Sequence, residues 1–389
     1  MQNNYPVYIT ECPDYDEAKL TDMLRRSFDA LGIDKALLGG RRVLIKPNLV
    51  LAKAPDHGAT THPAFVSAVA RVALELGAAS ITVADSPGGP YNAQTFSNTA
   101  RTCGITDAVS KLSSEFGNVK LNDDFSYSQV YFDGRKLKTA HLIAPFMECD
   151  AVIDLCKLKT HTLTKMSCAT KNLFGLIPGV EKFEMHSNFP RVEDFSEMLV
   201  DLAEYVTCEK TFIAVCDAVV SMEGNGPSYG TPKKTGYALV SRSPFALDVA
   251  AEHMMKADGD VIYLNKAAER ELVSRSFESI AALGAECPVF DFVPPDTDAG
   301  TFLKKLPDIF GGRLAGFFET KPHVDKKKCI GCGVCVRSCP KHTIVLAGKK
   351  GHKKAKIERK SCIKCFCCGE LCPHGAVDAK QNPLIKLIH

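Results

Sequence analysis

Cys329-Ile-Gly-Cys332-Gly-Val-Cys335-Val-Arg-Ser-Cys339-Pro340 and Cys362-Ile-Lys-Cys365-Phe-Cys-Cys368-Gly-Glu-Leu-Cys372-Pro373 repeat one spacing, C-x2-C-x2-C-x3-C-P. Three thiolates so spaced wrap one face of an iron–sulfide cube, and the fourth, beyond a short helical turn, reaches the neighbouring cube. On that rule Cys329, Cys332, Cys335 and Cys372 are the expected ligands of one 4Fe-4S cluster, and Cys362, Cys365, Cys368 and Cys339 those of a second. Zinc knuckles use four ligands from paired C-x2-C units, not eight interleaved thiols. Pro340 and Pro373 turn the chain away after the fourth ligand, and Gly331, Gly333 and Gly369 let backbone N–H groups approach the sulfurs. Cys367, beside Cys368, is expected to be a free thiol. A tail built this way folds around metal groups.

Nine of the seventeen cysteines fall after residue 320, and clustered cysteines in a chain expected to be cytoplasmic point to metal rather than disulfides. The other eight, Cys12, Cys103, Cys149, Cys156, Cys168, Cys208, Cys216 and Cys287, are scattered singly and are expected to be small buried hydrophobes. Residues 321–378 resemble the two-cluster ferredoxin family, which implies a small α+β module carrying one-electron centres. Between the runs, residues 343–359 alternate about Gly348 to Gly351 and read as a β-hairpin with a basic tip, either a solvated loop or a docking surface for an acidic redox partner. Residues 321–389 hold 16 Lys/Arg against 4 Asp/Glu, and the remainder 32 against 41, so a basic tail and an acidic body can attract each other. Nucleic acid is not the expected partner, because the cluster thiolates consume part of the positive charge and no aromatic-studded nucleic-acid motif is present.

At 389 residues the chain exceeds what one ordinary core supports. The expected layout is an α/β core domain over 1–310, a linker over 311–325 and the two-cluster domain over 326–389. In the core, Val43-Leu-Ile, Ser80–Asp85, Ala151–Asp154 and 211–217 read as strands. Helices are expected over Pro63–Leu76, 92–116, 193–206 and Phe245–Lys256, with Gly77 closing the first. Such alternation predicts a layered, mostly parallel sheet, interrupted over 119–140 by paired antiparallel strands. No stretch approaches the roughly 18 uncharged apolar residues of a membrane span. The opening Met1-Gln-Asn-Asn-Tyr-Pro shows no basic start followed by an apolar run, so the cytoplasm is the expected location.

Polar clusters recur where these strands end: Lys46-Pro-Asn48, Thr61-His62-Pro63, Asp85-Ser-Pro-Gly88, Lys157-Leu-Lys159-Thr-His161, Lys171-Asn172-Leu-Phe-Gly175 and Glu223-Gly-Asn225-Gly-Pro227. Ligands of open α/β sheets bind outside the carboxyl ends of the strands, so these patches are expected to converge on one pocket. Turn-making alone accounts for the glycines and prolines, but turns do not call for Lys159, His161, Lys171 or Glu223. These four are the candidate catalytic residues, and Lys46, Asn48, Asp85, Asn172, Gly175 and Asn225 the candidates for holding a cofactor or substrate. Gly175-Leu-Ile-Pro-Gly179 offers weak support for an anion cradle. A further metal or a flavin in the core is a possibility, the metal drawing on His62, Asp85, His161, Asp217 and Glu223 without H-x-x-x-H or H-E-x-x-H spacing. The phosphate loop, the dinucleotide fingerprint and the G-x-S-x-G elbow are all missing.

Taken in order, these blocks other than Thr61-His62-Pro63 resemble domain of unknown function family 362, many members of which carry this ferredoxin tail. The resemblance covers about residues 5–300, implies the architecture and brings no reaction with it. Three functions are open. One is a redox enzyme in which the tail exchanges single electrons with a core binding an anionic substrate or cofactor, Lys159, Lys171 and His161 gripping the anion and His161 or Glu223 moving a proton. The second is an electron carrier docking on a partner complex, and the third a non-redox lyase or isomerase with structural clusters. Partners are accordingly a redox protein or a small-molecule substrate, and oligomeric state is not readable from the sequence.

Overall fold

The computed structural model describes residues 5–296, 320–349 and 352–380. Strands of the body are β1 (Val7–Glu11), β2 (Arg42–Pro47), β3 (Ser80–Val83), β4 (Val119–Leu121), β5 (Tyr127–Tyr131), β6 (Thr139–Ile143), β7 (Ala151–His161), β8 (Lys165–Ser167), β9 (Thr211–Glu223), β10 (Thr231–Ser241) and β11 (Ala282–Gly284). The main sheet runs β11-β1-β10-β9-β7-β2-β3-β4, with β8 folded back on β7 and β5–β6 a separate hairpin. Pairing is parallel from β9 through β7, β2 and β3 to β4, and antiparallel where β10 meets β9 and β1. The expected mostly parallel α/β architecture is therefore what forms.

Side chains leaving alternate faces of these strands enter two apolar cores. Val43, Ile45, Ile153 and Leu155 pack under the helices Glu17–Ala30, Pro63–Glu75 and Ile105–Phe116. Leu44, Val152, Cys156 and Leu158 pack under Val192–Glu209, Pro244–Met254 and Ile262–Glu269. Helices on both faces explain why all eleven residues of β7 are buried. Local chemistry starts the helices where needed. Pro63 sits at the first turn of its helix, and the His62 ring accepts the Ala64 N–H at 3.2 Å. The Thr61-His62-Pro63 patch is thus a helix start.

Several expectations need correction. Lys157–His161 lies inside β7, not beyond its end. Charged side chains suggested a loop, but Lys157 pairs with Asp217 at 2.8 Å and Lys159 donates to Asn48 Oδ1 at 2.9 Å, so the strand continues through them. Val119–Leu121 extends the parallel sheet beside β3, and only β5 and β6 form the antiparallel pair expected over 119–140. Cys208 is exposed rather than buried. In the tail, β12 (Lys321–Val324) pairs antiparallel with β15 (Val377–Lys380), so residues 321–324, expected in the linker, belong to the module. The expected hairpin forms from β13 (Ile344–Ala347) and β14 (Lys354–Ile357), part of its tip lying outside the described residues, as do 297–319 of the expected body end and linker. Two short helices, Val334–Arg337 and Cys367–Glu370, complete the module.

Asp248, on the helix Pro244–Met254, holds the segment after β8 in place: its carboxylate accepts the Ala169 and Thr170 N–H groups at 2.7 and 2.9 Å in a buried setting. Asp248→Ala leaves both donors unpaired and is expected to destabilise the protein by about 2–3 kcal/mol, read from the urea unfolding midpoint.

Candidate functional site

β3 and β4 are added on one side of β2 and β7 and β9 on the other, so the strand order reverses at β2 and a crevice opens at the carboxyl ends of the strands. Lys46 and Asn48 enter it from β2, Asp85 and Ser86 from the end of β3, and Lys159 from β7. The segment after β8 adds Lys171, Asn172 and Gly175, and Lys182 follows on the helix Glu181–Asn188. The tail supplies the remaining wall: Cys367, Glu370 and Leu371 from the end of its second short helix. The cavity is about 90 Å³, room for a few water molecules or a small polar group.

Hydrogen bonds set the floor. Asn172 Nδ2 donates to Asp154 Oδ1 at 2.7 Å, and its Oδ1 accepts from Asn48 Nδ2 at 2.9 Å. Asn48 Oδ1 then accepts from Lys159 Nζ, which also donates to the Ala59 carbonyl at 2.7 Å. Lys46 Nζ lies 2.8 Å from Asp85 Oδ1, yet its aligned hydrogen bond goes to the Pro47 carbonyl at 3.2 Å, leaving Asp85 Oδ1 without an aligned donor. Asp85 Oδ2 accepts the Leu49 N–H at 2.8 Å. Lys182 Nζ donates to the Ser86 carbonyl and hydroxyl and to the Pro87 carbonyl. Lys171 Nζ sits 4.6 Å from the Phe174 ring centre and has no hydrogen-bond partner among the described residues.

Charge crowding and lost hydration shape the titration of these groups. Burial, then repulsion from Lys157 and Lys171, pushes Lys159 down to about 7. Burial brings Lys182 down to about 7 against the pull of Asp85. Lys171 is lowered by burial, with Glu370 opposing. Burial, reinforced by Lys171 and Lys159, holds His161 well below the usual histidine range, so its imidazole is neutral. Its Nδ1 accepts the Leu163 N–H at 3.1 Å, which assigns the proton to Nε2, 3.4 Å from Glu370 Oε1 and without an aligned hydrogen bond to it.

Of the ten expected core residues, Lys46, Asn48, Asp85, Lys159, Lys171, Asn172 and Gly175 line this one crevice. His161 stands just behind it, against Glu370. Glu223 and Asn225 do not reach it. Glu223 pairs with Lys233 at 2.8 Å and accepts the Val293 N–H, and Asn225 exchanges hydrogen bonds with Asp296. β9 runs past the crevice to Glu223, so these two face the neighbouring strand and loop. The loop Gly175–Gly179 is packed rather than open, with a Cβ at Gly179 meeting Gly89 and Tyr91 backbone atoms. His62, Asp85, His161, Asp217 and Glu223 do not gather into a metal site among the described residues. Sequence reasoning missed Lys182, Glu370 and Cys367, the last two because only docking of the tail brings them here.

In the tail, one cavity is lined by the sulfur-bearing residues Cys329, Cys332, Cys335 and Cys372, and a second by Cys339, Cys362, Cys365 and Cys368. Backbone N–H groups of Ala355, Thr343 and Ala376 reach the Cys329, Cys339 and Cys372 sulfurs at 3.4, 3.3 and 3.2 Å. Four thiols about one cavity, with N–H donors on the sulfurs, is a donor set that suits a 4Fe-4S cube. Cys367 turns the other way, buried and facing the crevice. The module is seated on the body by the Tyr229 hydroxyl, which donates to the Cys372 carbonyl, by Lys53 over the Tyr229 ring at 4.3 Å, and by Leu371 against Gly88.

A three-layer α/β body whose strand-end crevice is walled by a cysteine-rich tail defines an iron–sulfur protein of two parts. Residues 43–253 match the family described as domain of unknown function (DUF362), and the chain belongs to it. Residues 328–376 match the 4Fe-4S dicluster domain. A thylakoid-associated protein of Synechocystis sp. is 30% identical over 270 residues, covering 68% of this chain and 78% of that protein. Among solved structures, a Thermotoga maritima protein is similar over 90% of this chain and 88% of its own at 11% identity and a TM-score of 0.39. The lactate racemase apoprotein of Thermoanaerobacterium thermosaccharolyticum is similar over 66% of this chain and 58% of its own at 10% identity and a TM-score of 0.40. Likenesses so distant bear on neither substrate nor reaction. No helix of the described residues is long and apolar enough to cross a membrane.

A Cβ at Gly175 would run into the Asp85 carboxylate and the Lys46 ammonium. Gly175→Ala is therefore expected to force the Lys46–Asp85 pair apart and to destabilise the body by about 1–3 kcal/mol, measured by denaturant unfolding, with the iron content of the tail unchanged.

Proposed function

We propose that the protein is a ferredoxin-coupled oxidoreductase acting on a small anionic substrate or cofactor held in the strand-end crevice. The observation that carries this reading is the shared helix: Cys367–Glu370 bears the proposed cluster ligand Cys368 on one side and the crevice-lining Cys367 and Glu370 on the other. Cys329, Cys332, Cys335 and Cys372 would hold one 4Fe-4S cluster and Cys339, Cys362, Cys365 and Cys368 the other, and when bound these supply one-electron transfer to or from the crevice.

The body's residues do the rest. Lys171, the lining lysine without a hydrogen-bond partner among the described residues, takes the anion, with Lys46 and Lys182 completing a positive wall. Lys159, poised near 7, holds or releases a proton at Nζ as charge on the substrate changes. His161 keeps a neutral imidazole with Nε2–H towards Glu370, holding that side chain at the crevice edge. Cys332 is exposed and Ile330 beside it is 62% exposed, which supports an electron-donor protein meeting the module at that edge.

The test starts from anaerobically purified full-length protein. About eight irons per chain are expected, with spin-resonance signals from reduced clusters. Adding phosphate or a small dicarboxylate should perturb the signal of one cluster in the native chain and not in Lys171→Met. Unperturbed spectra across a panel of such anions would separate tail from crevice and leave the carrier reading in front. Anion affinity should also depend on pH in a defined direction. In the free protein Lys159 and Lys182 lose their protons above about 7, faced by Lys157, Lys171, Glu370 and Asp85, and by Asp85, Lys46 and Lys171, respectively. An anion binds the protonated forms, so binding takes up protons above that pH. Affinity by calorimetry is expected to be flat below about pH 6 and to fall by about tenfold per pH unit above 7 for each lysine coupled to binding.

A further inference from the structure

Cys156 on β7 and Cys216 on β9 are register partners in adjacent parallel strands, and Cys168, just before the helix Ala169–Asn172, comes down over them. All three are fully buried. Cys168 Sγ lies 3.6 Å from Cys156 Sγ and 3.6 Å from Cys216 Sγ, and the three atoms lie within 4.8 Å of one another. The buried cysteines elsewhere in the body behave differently: the thiols of Cys12, Cys103 and Cys149 each meet a backbone carbonyl, whereas each of these three meets another thiol.

The triangle has the size of a coordination sphere. With two sides of 3.6 Å and a third of at most 4.8 Å, its corners stand no more than roughly 2.4 Å from a common centre, a size that suits a metal–thiolate bond of about 2.3 Å. We propose that Cys156, Cys168 and Cys216 form a three-sulfur site for a single copper(I) ion, separate from the cysteines of the tail. Three soft donors in a buried setting suit a soft monovalent ion of low coordination number, whereas zinc asks for a fourth ligand. Each thiol that ligates releases its proton. The bound ion would tie β7 and β9 to the segment that carries Lys171 and Asn172, and so brace the crevice from beneath.

The experiment uses cluster-loaded full-length protein, with copper supplied both during expression and, anaerobically, as buffered copper(I) to the purified chain. One copper per chain is expected with the iron content unchanged, and copper-edge X-ray absorption should show three sulfurs at about 2.3 Å. Cys216→Ala and Cys156→Val should each lower copper affinity by about a hundredfold, with a cooperative urea unfolding transition of the body retained as the sign of an intact fold. Cys208→Ala, at an exposed thiol, should leave it unchanged. No copper uptake by either route, copper gained only as iron is lost, or affinity undiminished in Cys156→Val and Cys216→Ala would each overturn the site.

Discussion

Lys46, Lys159, Lys171 and Lys182 share one crevice in which Asp85 and Glu370 are the lining carboxylates. At an effective dielectric of about 20, two unit charges 4 Å apart repel by about 4 kcal/mol, so four ammonium groups cannot be gathered here without specific relief. The fold supplies a different remedy for each. Lys46 lies against Asp85. Lys182 donates into the Ser86–Pro87 backbone, and Lys159 into Asn48 and Ala59, both with a weakened hold on the proton. Lys171 rests over an aromatic face, a partial remedy that leaves it available to an incoming anion. The strand ends, the Asn48–Asn172–Asp154 floor and the close approach of Gly175 follow from the need to hold these groups apart and aimed inward.

Docking of the tail completes the crevice. Its contacts with the body among the described residues include a tyrosine hydroxyl on a backbone carbonyl, a lysine over that tyrosine, a leucine against a glycine, and His161 beside Glu370. Tail and body carry formal charges of opposite sign, and these short-range contacts join them. The same short helix lines a thiol cavity and the crevice, so a single turn of backbone separates the two.

Legibility in the sequence followed range. The cysteine runs were readable because their spacing is local, and the polar blocks at Lys46, Asp85 and Lys171 because strand ends are where an α/β sheet presents its ligands. Seven of the ten expected core residues converge for that reason. The failures share a cause as well. Lys157 and Lys159 looked like loop residues because charge inside a central strand is costly, and only their partners Asp217 and Asn48, distant in sequence, make it tolerable. Glu223 and Asn225 looked like site residues because they sit in a Gly-rich block, but β9 extends far enough to carry them to other partners.

The sequence by itself determined the alternation of strands and helices, the cysteine module and the chemical types available at the strand ends, since each rests on neighbours a few residues apart. Only the tertiary structure decided that Glu370, Cys367 and Lys182 would meet Lys171 and Asp85, and that Cys156, Cys168 and Cys216 would touch. The reason is physical: those meetings depend on strand register and on how one folded part is seated on another. Both are set by the packing of many side chains at once, which no local spacing encodes.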